Sequence, residues 1–466
     1  MADAIGVTGE VFIQKSQMGG GSPMIRGFAT NRVLIVVDGV RMNNAIYRSG
    51  NLQNIISFDP LALEDAEVIF GPGSLMYGSD AIGGVMDFHT LQPKFATENK
   101  TFIKGDAFVR YASANQEKTA HANINIATNK FSFLTSLTSS DFGDLQMGKN
   151  GGQDSYLRKE YIDRIGNQDV VVKNTNPYVQ KQSGYHQNNL LAKLRYKPSE
   201  HWDIQYGFHY SKTGNIPRYD RLIEYAAVNL RFAEWNYGPQ SWTMQNLQIL
   251  NKKATTLYNE AKLVFAYQQY EESRIDRRRN NNNQRTQTEN VDATSINLDF
   301  TKAINEGEEI FYGAEWVGNG VGSKAANLNI ANNLISKVAT RYPDGATWNS
   351  FAVYSSYKKI INDQFNFSGG LRYNTGQTKA SFDTTFFKFP FTRSNLQNSS
   401  VTGNIGVVYK TSERLQLNAL ISTGFRMPNI DDIGKVFESA PGNVVVPNTN
   451  LRSEYAWNYE IGVHYN

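Results

Sequence analysis

The chain contains no cysteine. This excludes disulfide scaffolds, thiolate metal sites and cysteine nucleophiles. Net charge is almost absent as well. There are 47 Lys and Arg against 43 Asp and Glu, leaving +4 over 466 residues with His neutral, a field too weak for a dedicated nucleic-acid binder. Long apolar runs are missing: the longest, Val33–Val37 and Leu263–Tyr267, have five residues, whereas a spanning helix needs about 20. Met1 to Gly9 has neither the basic start nor the apolar core of a secretory signal. Signatures of catalysis are lacking too, and no enzyme activity is expected. No Gly-x-Ser-x-Gly elbow occurs. His89, His121, His186, His201, His209 and His464 include no helix-spaced pair of metal-ligand type, so neither a metal site nor a cofactor is expected.

Aromatic residues are abundant at 12%, with 25 Tyr and 26 Phe, and apolar residues reach 40%. That composition excludes general disorder. The pattern of the chain changes near residue 98. Residues 1–97 are Gly-rich with short apolar bursts. From Thr101 onward, runs of about 10–13 residues carry an apolar side chain at every second position. Phe365, Phe367, Leu371 and Tyr373 alternate with Asn366, Ser368, Arg372 and Asn374, and Leu415, Leu417 and Ile421 with Gln416, Asn418 and Ser422. Strands of a soluble sandwich average about 5–6 residues, whereas tilted membrane-spanning strands need about 9–11.

Fourteen such strands are predicted, from 101–113 to 453–465. From the third onward, long links such as 142–183, 214–240, 272–288 and 426–452 alternate with short ones such as Lys197–His201, Ala303–Gly307 and Ile361–Asp363. Sorting of long loops to one rim and tight turns to the other is the mark of an outer-membrane barrel. The fold class read from the pattern is therefore an all-β membrane protein, a transmembrane antiparallel β-barrel of which about 14 strands are present, preceded by a domain over 1–97 with the barrel over 98–466.

In the first domain, Val33–Val37 followed by Asp38-Gly39 and Val40-Arg41 reads as a hairpin with an Asp-Gly turn, a structural role for Asp38 and Gly39. Gly71-Pro72-Gly73-Ser74 and Tyr77-Gly78-Ser79-Asp80 are compact loops around a short helical segment. They lack the Gly-Lys-Ser/Thr ending of a phosphate-binding loop.

Three ordered motifs here resemble the plug of TonB-dependent outer-membrane receptors: Met24-Ile25-Arg26-Gly27-Phe28, Arg32 through Asn43, and Leu63 through Asp87 with its Gly71-Pro72-Gly73-Ser74-Leu75-Met76-Tyr77-Gly78 core. Downstream, Gly424-Phe425-Arg426-Met427-Pro428 and Pro447-Asn448-Thr449-Asn450-Leu451 are similar to the paired FRAP and NPNL boxes, frequent in haem and haemoglobin receptors and found in others. The resemblance implies a barrel of 22 strands filled by an N-terminal α+β plug. The chain is then expected to be part of a longer protein, truncated at the plug's front and at the end of the barrel. It also implies energised uptake of a scarce ligand across the Gram-negative outer membrane, an iron source such as haem or a ferric siderophore, with cobalamin as an alternative cargo. The implied partners are a TonB-type energy-coupling protein of the inner membrane, a small iron chelate or haem, and outer-membrane lipid with lipopolysaccharide. A passive porin or adhesin, or a soluble β-rich protein, are the competing readings.

Candidate ligand-binding residues are Tyr47 and Arg48 at a plug apex, Tyr77 in the Gly-Pro motif, and Tyr219 and Trp235 in long loops, where aromatic area and guanidinium charge suit a chelate. For Arg26 the resemblance implies a charged lock against the barrel wall, with Glu454 and Glu460 as partners. The family usually carries a second Arg where this chain has Phe70. Arg274, Arg277, Arg278, Arg279 and Arg285 are expected to form a solvated basic loop. Residues 429–446 contain no His, which counts against a standard axial ligand for haem.

Overall fold

A computed structural model describes residues 5–6, 9–48, 57–97, 100–150, 156–434, 437–440 and 443–465. The alternating runs form the expected wall. After β1 (Phe12–Gln14), β2 (Ser22–Ile25) and β3 (Phe28–Ala29) come β4 (Val33–Val37), β5 (Val40–Arg41), β6 (Leu63–Phe70), the one-turn helix α1 (Ser74–Tyr77) and β7 (Gly84–Thr90). The wall begins with β8 (Phe102–Ala112), β9 (Glu117–Ala127), β10 (Phe131–Phe142), β11 (Tyr185–Ser199), β12 (Trp202–Thr213), β13 (Phe232–Asn251) and β14 (Glu260–Arg278). It continues through β15 (Asn283–Asn305), β16 (Glu308–Asn329), β17 (Ala346–Ile360), β18 (Phe365–Ser381), β19 (Arg393–Lys410), β20 (Leu415–Arg426) and β21 (Glu454–Tyr465). These fourteen strands pair with their sequence neighbours in one antiparallel sheet, joined by two short strands off the path.

Side chains obey the two-residue period. On β18, Phe365, Leu371 and Tyr373 point outward and are exposed, while Arg372 and Asn374 point inward and are buried. On β15, Ile296 and Leu298 are exposed while Ser295 is buried. An apolar outer band over a polar inner face is the pattern of a barrel wall that meets lipid on one side only.

Tight turns close one rim, at 200–201, 306–307 and 361–364, and long connections lie at the other. One expectation fails here. Residues 272–288 are not a loop: β14 runs to Arg278, β15 starts at Asn283, and only 279–282 turn. Arg274, Arg277 and Arg285 lie on paired strands and meet carboxylates, whereas Arg278 is exposed and Arg279, in the turn, bonds the Asn229 side chain. Arg277 is buried between Asp169 (2.7 Å) and Glu234 (3.0 Å), and Arg285 reaches Asp276 at 2.8 Å.

Inside the wall lies a four-stranded mixed sheet in the order β5-β4-β7-β6. β4 is buried on both faces. Ile25, Val33, Ile35 and Val37 pack in one cluster with Trp242, Met244, Val264 and Ala266 of the wall, whereas Leu34 and Val36 pack on Ala81 and Val85. Burying each large aliphatic side chain contributes about 1.5–3 kcal/mol, so the plug and the wall share one core.

Candidate ligand site and the plug interface

The Asp38-Gly39 turn after β4 has φ of +49° and +79°, the left-handed pair that such a turn needs. Its role goes further than the turn. The Asp38 carboxylate accepts bonds from Thr90 N (3.0 Å) and Thr90 Oγ1 (2.7 Å), and meets Lys193 Nζ at 2.9 Å, with His209 Nε2 at 3.3 Å. Asn246 and Gln248 of β13 donate to its carbonyl at 3.2 and 2.9 Å. Burial alone would raise the Asp38 carboxyl. The Lys193 ammonium, with help from His209 and Thr90, outweighs burial and holds it well below the usual carboxylate range. Asp38 thus fixes the plug to β11, β12 and β13.

On the opposite wall the expected Arg26 lock is replaced. Arg26 is exposed and sits over the Phe70 ring at 5.3 Å, and among the described residues it makes no ion pair. The physical reason is local: Arg26 (φ +49°) and Gly27 (φ +87°) form the turn between β2 and β3, which lifts the side chain off the wall. Six positions on, the 3-10 turn Thr30–Arg32 delivers Arg32 instead. Its Nε and Nη2 grip Glu454 at 3.0 and 2.9 Å, and Arg426 Nη2 joins the same carboxylate at 2.9 Å while its Nη1 bonds Asp432. Glu454 therefore pairs with the plug, but through Arg32 rather than Arg26. Glu460 lies opposite Leu420 and has no ion pair among the described residues. Around this lock, Phe425 N donates to Ser74 Oγ (3.1 Å), Met427 N to Ser79 Oγ (2.9 Å), and Asp80 N to Phe425 O (3.1 Å). The FRAP-like box is thus a docking edge for α1 and its flanking loops.

At the long-loop rim, the Asn43 amide ties the apex back to β4 by bonding Ile35 N and Val33 O, each at 3.1 Å. Ala45 N donates to Asn319 Oδ1 (3.1 Å), Ile430 N to Ala45 O (2.8 Å) and Asn429 Nδ2 to Tyr47 O (2.6 Å). Tyr47 is buried beneath this cover, and its hydroxyl has no partner among the described residues. Burial, then the Asp80 charge, pushes that hydroxyl far above its ordinary value. Beside it a cavity of about 20 Å³, lined by Met42, Asn44, Trp242 and Tyr270, has room for one water.

Arg48 is buried on Glu272 at 2.7 Å. Burial would lower its basicity, but Glu272 more than restores it, so it stays charged. Three guanidinium groups surround the Tyr237 ring: Arg218 at 5.0 Å, Arg274 at 5.6 Å and Arg48 at 5.7 Å. Arg218 donates to the Tyr237 hydroxyl (2.6 Å), forks onto Asp220 (2.7 and 2.6 Å) and lies 4.9 Å from the Trp235 ring. Arg274 Nη2 holds Glu272 at 2.8 Å, leaving Nη1 buried without a partner. Directly across the ladder from Glu272 stands Glu289, fully buried, with both carboxylate oxygens unpartnered. The cluster thus keeps one unused cationic donor and one unused carboxyl group, which burial and the Glu272 charge push up to about 8 and so hold largely protonated at neutral pH.

Of the five candidates, Tyr47, Arg48 and Trp235 converge on this cluster. Tyr219 stands one residue from Arg218, half-buried under Arg158 at 5.7 Å. Tyr77 is elsewhere: its hydroxyl donates to Asp87 (3.2 Å) and it lines a lower cavity against β14–β17. Sequence reasoning passed over Arg218, Glu272 and Glu289. The alternation Glu272, Arg274 on the inward face of β14 was the available signal.

The family profile described as "TonB dependent receptor-like, beta-barrel" matches residues 205–466, and the "TonB-dependent Receptor Plug Domain" matches 1–85. Curated relatives include the vitamin B12 transporter BtuB of Vibrio vulnificus, 25% identical over 97% of this chain and 59% of the relative, and BtuB of Photobacterium profundum, 22% identical over 94% and 57%. Thus the chain spans less than two thirds of the length of these relatives. Among solved structures, the copper transporter OprC superposes with a TM-score of 0.76 at 13% identity, covering 98% of this chain and 65% of that one. The Serratia marcescens hemophore receptor HasR superposes at 0.70 and 13% identity, covering 99% and 66%. With a plug matched ahead of a barrel that accounts for more than half its residues, the chain belongs to the TonB-dependent receptor family.

Proposed function

We propose that the full-length protein imports a small anionic metal chelate, an iron source such as a ferric siderophore, across the outer membrane at the expense of energy delivered by a TonB-type partner. The observation that carries this reading is the apex cluster, where Arg48, Arg218 and Arg274 surround Tyr237 and Arg274 Nη1 has no partner. Guanidinium groups on an aromatic face bind carboxylate or catecholate oxygens in fork geometry. The unpartnered Glu289, largely protonated, supplies a carbonyl acceptor and an O–H donor to polar groups of the same cargo. Outer-membrane lipid and lipopolysaccharide surround the apolar band in this reading. Haem fits less well, since 429–446 offers no His. Cobalamin is the second reading, favoured by the curated relatives, which are vitamin B12 transporters.

Uptake of radioiron as citrate and catecholate complexes, of haem, and of radiocobalt cyanocobalamin tests both readings in cells producing the full-length protein. Uptake of a ferric chelate that an uncoupler abolishes is the expected result, with Arg274→Ala weakening its binding about tenfold. Cyanocobalamin uptake alone would select the second reading. Entry of any probe unaffected by the uncoupler would replace both with a passive pore.

A further inference from the structure

The plug is held unevenly. Asp38 ties it to β11–β13, and Arg32, Ser74, Ser79 and Asp80 tie it to β20 and β21. Toward β14–β17 the polar attachments among the described residues stand near the long-loop rim, at Arg48, Ala45, and the Arg41 carbonyl, to which Gln268 donates at 3.0 Å, with Val264 and Ala266 of β14 adding apolar contact. Below them lies a cavity of about 260 Å³ between the plug sheet and this wall. On the plug side it is lined by Val36, Tyr77 and Asp87, and on the wall side by Lys262, Ser295 and Asp299.

The polar groups of the wall are bonded to one another there. Tyr354 donates to Asp299 (2.6 Å), Asn297 to Glu315 (3.1 Å) and Arg372 to Glu315 (2.9 Å). Among the described residues, no hydrogen bond or ion pair joins these wall groups to the plug. Ser295, Asn297 and Asp299 alternate down β15 toward the 306–307 turn, so the polar ladder continues to the short-turn rim.

We propose that this cavity is a transit site, and that cargo leaving the apex passes between the plug and β14–β17 while the Asp38 and Arg32 attachments stay made. The inference rests on the import reading above. The cavity takes a hydrophilic solute with both donors and acceptors, since Lys262 and Arg41 face Asp299 and Asp87. Small-molecule pockets run from about 300 Å³, so the plug must tilt off this wall to admit cargo. Here the tilt opens one ion pair, Arg48–Glu272 at the apex, for which an anionic cargo bound to Arg48 competes. Below that pair it opens none among the described residues, whereas on either other wall it strips Asp38 or Glu454 of its partner with no cargo group to replace it.

The test uses the full-length receptor and has two arms. In cells, Ser295→Trp and, independently, Asn297→Phe fill the cavity, with barrel folding checked by heat-modifiable migration. Radioiron citrate and radiocobalt cyanocobalamin are the probes. Whichever probe the unsubstituted receptor imports is expected to bind uncoupled cells unchanged, and its energised uptake to fall about tenfold. Unchanged uptake in both folded variants overturns the transit site. If the unsubstituted receptor imports neither these probes nor a radioiron catecholate or haem, the import reading has failed by itself, and the second arm decides the cavity. There, purified Ser295→Cys and Ser422→Cys proteins, with any cysteine outside residues 1–466 replaced by serine, are treated with a small cationic methanethiosulfonate. Modification at 295 about tenfold faster than at 422, which lies on the attached wall, supports a solute-accessible path. Equal rates overturn it.

Discussion

Asp38 and Arg26 show how the same kind of reasoning succeeds and fails at the scale of a single residue. The Asp-Gly turn was legible because two consecutive positive φ angles need those residues. The ion pair with Lys193 was not, since its partner lies on a distant strand and no local pattern distinguishes a turn aspartate that also meets a wall. The Ile25-Arg26-Gly27 motif led to the wrong guanidinium because the turn geometry that exposes Arg26 is a backbone property. The consequences are measurable. Asp38→Ala strands Lys193 in a site where both side chains are almost fully buried, and is expected to destabilise plug docking by about 3–5 kcal/mol, read by denaturant titration with protease resistance of the plug. Arg32→Ala, at a partly exposed pair that keeps Arg426, is expected to cost about 1 kcal/mol or less, and Arg26→Ala less still.

The pH dependence of the Asp38 contact follows from the sign of its shift. A carboxyl held below its unfolded value adds stability that is fully present above that value, about 3.9, and is lost as pH falls through the folded one. Plug docking in the intact protein is therefore expected to hold this contribution down to about pH 5 and to lose it progressively in stronger acid. The Asp38→Asn protein is expected to lack that acid-side slope, as denaturant midpoints measured across acidic pH would show. Gly78 supplies a sharper packing prediction. Its φ is +76°, and an added Cβ would lie 2.8 Å from Arg372 Nη2. Gly78→Ala therefore combines backbone strain with displacement of a buried guanidinium, and about 1–3 kcal/mol of destabilisation is expected in the same titration.

At the scale of elements, periodicity located all fourteen wall strands, because lipid on one side and water or plug on the other impose a strict two-residue alternation. Strand length was less legible. β14, β15 and β16 have 19, 23 and 22 residues, roughly twice a hydrocarbon crossing of about 9–11. The part beyond the membrane has no lipid-facing stripe, so its alternation is polar against polar and reads as loop. The arginines at 274, 277 and 285 belong to that extension, Arg274 held by Glu272 of its own strand and the other two by carboxylates of neighbouring segments. Asp169 is the hub of one such group, bonding Arg277 (2.7 and 2.9 Å), Arg164 (3.1 Å) and Asn280 N (2.7 Å). Asp169→Ala is expected to free the hairpin 160–173 from β14 and to open it to limited proteolysis, while the rest of the wall stays protected. Rescue by Asp169→Glu would argue for the charge rather than the packing.

For the whole molecule, the resemblance carried the family, and the geometry added which contacts hold the plug in place. A lipid-restricted photoprobe is expected to modify Phe365, Leu371 and Tyr373 and to spare Arg372 and Asn374 on the same strand. Labelling of both faces would mean that the wall does not separate lipid from lumen. The aromatic and basic candidates could be collected from composition and motif, but their convergence on Tyr237 joins a plug apex to two barrel strands and one loop. Such a meeting depends on shear and strand tilt, which no one segment encodes.

If cargo binds at the apex as proposed, the cover over it also sets how recognition unfolds in time. Because Asn429 and Ile430 bond the backbone of Tyr47 and Ala45, a solute arriving from outside meets Trp235 and Arg218 before it can reach Arg48. Full engagement waits on release of that segment. Capture should then be biphasic, with a fast encounter whose rate grows with solute concentration and a slower stage that levels off at the uncapping rate. Shortening the Asn429 side chain would raise that plateau and leave the encounter untouched.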